Sequence, residues 1–199
     1  MGQIQKTIEI YEPLRKFKYH FEIENGISFD LNFFPEYYHH LAGFQHLTDK
    51  PHLSYQVEYT REFYAALKLG SITEEEILSS SKYGEMEKRV NSFAELLHIM
   101  TPENTKIIID YDKDRVPSLI EAKFFIYKRD GEPFTESQVY YILFIGYDEE
   151  KKRYYPATFI VEDSSLFFRG ATYLDCSITA IEKPKPKPKP KPDKKKQRR

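Results

Sequence analysis

The sequence predicts an α+β fold, on three observations. Helical periodicity dominates the first hundred residues apart from one hairpin. Short runs rich in Ile, Phe, Tyr and Val follow from residue 105. Turn residues rather than helices separate those runs. Helices first and consecutive strands afterwards give an antiparallel meander with helices over one face, not alternating βαβ units.

The elements follow in order. Residues 3–15 repeat Ile4, Ile8 and Tyr11 on one helical face. Lys18–Glu24 and Ile27–Phe33 alternate apolar and polar around Asn25-Gly26, a pair suited to the two positive-φ positions of a tight hairpin. Pro35 opens a helix expected over 35–47. Further helices are expected near 59–68, 73–80 and 83–99, the second started by Thr73 with Glu76 as its capping-box partner. Strands are expected at Lys106–Tyr111, Leu119–Lys128, Val139–Tyr147 and Tyr154–Val161, with Thr172–Ile181 as a fifth at the sheet edge. In the second of these, Ile120, Ala122, Phe124 and Ile126 form the covered row. Glu121, Lys123, Phe125 and Tyr127 form an open, mixed face that could serve as an RNA platform.

The chain of 199 residues divides into a domain, 1–182, and a Lys/Pro-rich tail, 183–199. The domain holds 20 basic and 30 acidic residues, a net −10, and the tail 10 and 1, a net +9. An acidic body repels phosphate at long range, which argues against a broad nucleic-acid-binding surface. Alternating Pro disfavours both helix and ladder pairing, so the tail is expected to be polyproline-like and to reach roughly 50 Å. The 16 Tyr and 15 Phe suit a sheet-rich core or a stacking platform for bases. Cys176 is the sole cysteine, so neither an intrachain disulfide nor a cysteine metal cluster can form. No apolar run approaches the ~18 residues of a membrane span, and no secretory leader is recognisable, so a cytoplasmic protein is expected.

Chemistry concentrates in Phe33–Leu47. On one continuous helix, Phe34, Tyr37, Tyr38, Leu41 and Phe44 form the apolar stripe and His40 falls at its margin. There an imidazole can be partly desolvated and still reach a substrate, with a pKa near the operating pH. His39 and His46 would point to the far side, seven residues apart and too distant to share an ion. No His-x3-His pair, HExxH sequence, phosphate-binding Gly loop or dinucleotide fingerprint is present, so neither metal nor cofactor is expected.

The ordered segments resemble the phage-associated PBECR group of nucleases, named for barnase, EndoU, colicin and RelE, in its fourth subgroup. The resemblance begins at Tyr38-His39-His40-Leu41-Ala42-Gly43-Phe44 and runs through Leu69–Thr73, Ser79–Tyr83 and Lys88-Arg89-Val90. It resumes at Ile107–Asp112 and Glu121–Lys128, and closes with Tyr140–Ile145 and Tyr154–Phe159. It implies a metal-independent RNA endonuclease, toxin-like or phage-associated, in which a ribose 2′-OH attacks the adjacent phosphodiester. RNA would be the substrate, and an antitoxin or immunity protein a partner.

By the same resemblance His40 is the general acid or base and Arg89 the phosphate clamp. Lys128 stabilises the transition state, with Lys123 as its rival, and Tyr155 and Thr158 orient the phosphate. His39 stands beside His40 as the alternative histidine. Tyr155 and Thr158 lie on opposite faces of a regular strand, so both reach one site only if a bulge intervenes, for instance at Pro156. Two other readings are an inactive binding module on the same fold, engaging a basic protein or RNA, and a different nucleotide-directed transferase or hydrolase.

Overall fold

The computed structural model describes residues 2–54, 60–115, 118–130 and 138–184. The tail from Lys185 on, with its expected polyproline character, lies outside them, as do residues 131–133 of the turn that Asp130-Gly131-Glu132-Pro133 signals between the expected strands. The helices are α1 (Gln3–Lys16), α2 (Pro35–Ala42), α3 (Thr60–Lys68), α4 (Glu74–Leu78), α5 (Gly84–Asn91) and α6 (Glu95–Ile99). The strands are β1 (Phe17–Ile23), β2 (Ser28–Asn32), β3 (Glu103–Asp110), β4 (Phe124–Asp130), β5 (Val139–Asp148), β6 (Arg153–Glu162) and β7 (Thr172–Glu182). The mixed helix-and-sheet class is as the sequence implies. Among the described residues no helix is long and apolar enough to cross a membrane.

All seven strands join one sheet in the order β2-β1-β7-β3-β4-β5-β6, with every pairing antiparallel. Two expectations are corrected here. The N-terminal hairpin, expected to stand apart from a sheet of four or five strands, belongs to the main sheet, which among the described residues has seven. β7 is also not an edge strand but the seam between β1 and β3. Its outward Tyr173, Asp175 and Thr179 are exposed while Cys176 and Ile178 are buried. A solvated polar face is normal even for a central antiparallel strand, so the pattern could not reveal its neighbours.

The hairpin turn also differs in detail. Only Gly26 takes positive φ, at 84°, and Asn25 does not. The Gly26 amide donates to Ile23 O at 2.9 Å and the Ile23 amide to Ile27 O at 2.9 Å. This is a three-residue loop with glycine at the left-handed position, the next commonest hairpin solution after the two-residue turn.

Helical side chains, among them Ile4, Ile8, Tyr11, Leu41, Leu67, Ile77, Val90 and Leu96, pack with Tyr19, Phe21, Leu31, Phe124, Ile126 and Ile178 into one core on one face of the sheet. The Thr73 hydroxyl caps α4 as expected, accepting from the Glu76 amide at 3.2 Å. The helix expected over 83–99 is divided into α5 and α6 around Ser92-Phe93-Ala94, where Phe93 is fully buried.

The expected open face of the fourth strand is covered. Residues 119–123 are not strand, and β4 starts at Phe124. Phe125 is 0 % exposed in a second core with Ile109, Tyr111, Ile142, Phe144, Ile160 and Phe167. Ile120 and Ala122 pack against this second core, not the first. Phe124 and Ile126 face the first core as expected, but the opposite face is buried because the segment Leu166–Phe168 packs over it, and Ile120 and Ala122 precede the strand, where its alternation does not apply. A stacking platform at Phe125 is therefore excluded.

The sheet curls until its two end strands meet. Phe29 of β2 stacks on Tyr154 of β6, ring centroids 4.1 Å apart. This curl brings α2, which follows β2 directly, against β6.

Candidate active site

β6 pairs with β5 through a bulge: Phe144 faces Thr158, but Ile145 faces Pro156, leaving Ala157 as the extra residue. The extra residue shifts the alternation by one, so Tyr155 and Thr158 fall on the same side of the strand. Tyr155 lies opposite Gly146, and a Cβ built on that glycine would stand 2.5 Å from the Tyr155 ring. A bare backbone at 146 is what leaves room for the ring.

Across from the bulge stands α2. Pro35 supplies its first turn, and Gly43, at φ 89°, ends it with its amide donating to His39 O and His40 O. The helix expected to run to Leu47 therefore stops at Ala42, and a short 3-10 turn, Phe44–His46, follows. A glycine in this position is a standard helix stop. The change of direction decides where the histidines go.

His39 is not on the far side but in the core, 1 % exposed, with Phe63 of α3 edge-on at 4.9 Å. Its Nε2 donates to Leu53 O at 2.7 Å. The sequence could not show that α3 and the Leu53 turn cover this side of α2. Burial pushes its pKa down to about 4 from an ordinary 6.5, partly offset by the Leu53 carbonyl. A depressed pKa favours the neutral form, so the stability it confers is complete above pH 6.5 and lost as pH falls towards 4. Stability between pH 7.5 and 4 is expected to fall by about 3 kcal/mol from this group. Urea unfolding of His39→Gln at the two pH values checks it: that share of the pH dependence should vanish.

His40 and His46 both line a cleft of about 970 Å³ between α2, the 3-10 turn, the start of α3, and the bulged edge of β6. Arg89 of α5, Tyr155 and Thr158 line the same cleft. Tyr37 completes the wall, stacked on Tyr155 at 5.7 Å. Four of the five residues singled out in the sequence are thus brought together. Lys128 is not: its Nζ bonds Glu95 Oε2 at 2.7 Å on α6, and it does not line the cleft. Lys123 borders a neighbouring cavity of about 340 Å³, which shares Glu121 and Tyr155 with the cleft.

Arg89 is half-buried, and its Nη1 donates to His40 O at 3.5 Å. Among the described residues no carboxylate lies within ion-pair distance of it. Burial lowers its pKa to about 10, against a weak opposing pull from Glu162. The charge of Arg89 acts in turn on both imidazoles. Burial first, and Arg89 second, hold the His40 pKa below its ordinary value. The same two causes lower that of His46, opposed by Glu85, whose Oε2 stands 3.8 Å from Nδ1.

Sequence reasoning missed His46, whose position follows from the Gly43 stop. It also missed Arg153 of β6, whose guanidinium lies 5.5 Å over the Phe34 ring and whose Nε is buried without a hydrogen-bond partner among the described residues. Arg61 and Lys151 add two more cations; Glu36, Glu62, Glu121 and Asp148 add carboxylates. Among the described residues no group of three or more His, Cys, Asp or Glu side chains is placed to hold a metal ion.

Fold and cleft together define an α+β protein with a pocket in which two imidazoles stand beside a guanidinium that, among the described residues, has no carboxylate within ion-pair range. Residues 3–190 match the family of phage-Barnase-EndoU-ColicinE5/D-RelE like nucleases, in its fourth division, and the chain belongs to that family. The family is one of nucleases, so nucleic acid is the substrate class and phosphodiester cleavage the activity it supports. No curated protein and no solved structure matches the chain.

Proposed function

We propose that the chain is an RNA endonuclease that cleaves by attack of a ribose 2′-OH on the adjacent phosphorus, with no bound metal ion. The observation that carries this reading is the grouping around one cleft of His40, His46 and an Arg89 with no carboxylate in ion-pair range among the described residues. RNA supplies its own nucleophile, so the protein needs a base, an acid and a cation, and all three types are present.

His40, kept neutral by burial and by Arg89, takes the 2′-OH proton. The O2′–P bond forms and the P–O5′ bond breaks, leaving a 2′,3′-cyclic phosphate and a 5′-hydroxyl. His46, in the protonated form that the neighbouring Glu85 carboxylate favours, delivers the proton that O5′ requires. Arg89 holds the non-bridging oxygens through its planar fork as their charge rises, a task a point charge performs less well. Tyr155 and Thr158 offer hydroxyls that orient the phosphate. Arg153 takes the second cationic role that the sequence offered to Lys128, because Lys128 is engaged by Glu95.

Incubating the purified chain with RNA and excess EDTA tests this. Fragments ending in 2′,3′-cyclic phosphate are expected. Intact RNA, or cleavage that needs an added divalent ion, would overturn it.

A further inference from the structure

We infer that the cavity beside the cleft is the subsite for the nucleobase of the nucleotide whose 2′-OH attacks. Tyr147 is its stacking platform, and Lys123 meets the phosphate on the 5′ side of that nucleotide. The inference rests on the ribonuclease reading of the cleft and adds which part of the strand lies where.

The cavity encloses about 340 Å³, at the lower end of the range in which pockets take small ligands. Tyr155 and Glu121 line both it and the cleft, so a group seated there adjoins the phosphate that Tyr155 orients. Its wall is aromatic, built from Tyr147, Tyr154 and Tyr155. Two of these rings are already engaged. Tyr154 stacks on Phe29 at 4.1 Å and has Tyr147 at 4.8 Å. Tyr155 stacks on Tyr37 at 5.7 Å and lies close over the bare backbone of Gly146. Tyr147 is half-buried, and among the described residues Tyr154 is the only ring against it. It keeps a face for a base, and every base has a π-face to offer in return.

The direction of the strand follows from how α2 and α5 lie along β6. Phe34 and Tyr37, at the start of α2, meet Arg153 and Tyr155, at the start of β6. α5 meets the other end of β6, where Lys88 Nζ donates to Asp163 Oδ2 at 2.6 Å. From α5, Arg89 reaches His40 O in the last turn of α2, and Glu85 stands 3.8 Å from His46. The order along the cleft is therefore Tyr155, then His40, then Arg89 with His46. The cavity opens at the Tyr155 end, with His40 between it and His46. Since His40 takes the 2′-OH proton and His46 serves O5′, the nucleoside that reaches the cavity is the one carrying the 2′-OH.

Lys123 supplies the cation of the subsite. Its amide donates to Ile145 O at 2.8 Å and its carbonyl accepts from the Tyr111 amide at 2.9 Å, which fixes its backbone just before β4. Its side chain is exposed and borders the cavity. The carboxylates on the cavity wall are each matched by another lysine, Glu121 by Lys113 and Glu149 by Lys152. The Lys123 ammonium meets the next phosphate of the strand, a binding role in place of the transition-state role for which it rivals Lys128 in the sequence.

The test titrates the full chain with inorganic phosphate, adenosine 3′-monophosphate and adenosine 3′,5′-bisphosphate, read by isothermal calorimetry. The 3′-monophosphate should bind at least about fivefold tighter than phosphate, the gain of one stacked base. The bisphosphate should gain a further factor of about two to five, that of one exposed ion pair. Tyr147→Ala should erase the first gain and Tyr147→Phe should keep it, while Lys123→Gln should erase the second gain alone. Thermal unfolding accompanies each variant, and the ligand series on the parent decides the base contact even where a variant is unstable. A parent that binds the 3′-monophosphate no tighter than phosphate overturns the inference, as does a folded Tyr147→Ala chain that keeps the gain. A folded Lys123→Gln chain that keeps the second gain overturns the phosphate contact. Direction is read on an RNA with a mapped cut. An abasic ribose on the 5′ side of that bond should raise KM more than one on the 3′ side, and the reverse order overturns the assignment. If no RNA is cut, the ribonuclease reading fails on its own and the titration still decides the subsite.

Discussion

His40→Ala lowers kcat/KM on RNA by about 10²- to 10⁴-fold, the range a positioned general base contributes. The loss is expected to be chemical and not structural. His40 is only partly buried, and the α2 positions that hold the core are its neighbours Tyr38, His39, Leu41 and Ala42. Thermal unfolding of the variant should therefore stay close to that of the parent. The intact protein adds a signature in pH. Burial and Arg89 lower the His40 pKa, so the basic form persists below the ordinary imidazole value of 6.5. The acid limb of kcat/KM should accordingly fall at a pH below 6.5, and Arg89→Met should move that limb upward by removing the second cause. His39→Gln is the paired control: it should reduce stability while leaving this limb in place. A His40→Ala variant as active as the parent would remove the base from the mechanism.

Arg89→Met is expected to cost about 10²- to 10³-fold in kcat/KM, as loss of one preorganised donor to a developing oxyanion does. Its effect on stability should have the opposite sign. A half-buried guanidinium with no carboxylate in ion-pair range, among the described residues, carries a desolvation cost that the fold does not recover. Met keeps the side-chain stem beside Gly43 and removes the charge, so the variant should melt at the same temperature or higher. Arg89→Lys should recover only part of the rate, because an ammonium cannot make two parallel bonds to a phosphate. Comparing rate with melting temperature across the three chains separates a phosphate clamp from a packing residue: only a clamp loses activity without losing stability.

The elements were legible wherever local pattern decides. Ile4, Ile8 and Tyr11 mark α1, Thr73 with Glu76 marks the start of α4, and Asn25-Gly26 marks a hairpin, although the turn spans three residues and not two. What failed were questions answered by partners distant in sequence. The polar side of β7 says nothing about the strands at its flanks, and Phe125 looked open because the segment Leu166–Phe168 that covers it lies forty residues downstream. His39 and His46 exchanged roles for two separate reasons. A turn ending at Leu53 and Phe63 of α3 bury the first. Gly43 ends the helix before the second, and here the sequence did carry the signal, since glycine past a helical stripe is a stop. His40 was marked by periodicity and by resemblance, Arg89, Tyr155 and Thr158 by resemblance alone. Their convergence depends on a bulge at Ala157 and on a sheet curled enough for Phe29 to touch Tyr154, neither of which a linear pattern encodes.

The proposed reaction requires the ribose hydroxyl as nucleophile, activated by His40 beside Arg89 without a bound ion. The direct measurement uses an RNA oligonucleotide with a mapped cleavage site and its counterpart carrying a single 2′-deoxyribose on the 5′ side of that bond, both in EDTA. The ribose substrate should yield a 2′,3′-cyclic phosphate and a 5′-hydroxyl, and the deoxy substrate should remain uncut at that position. Cleavage of the deoxy substrate there, or a 5′-phosphate on the product, would rule out the ribose hydroxyl as nucleophile.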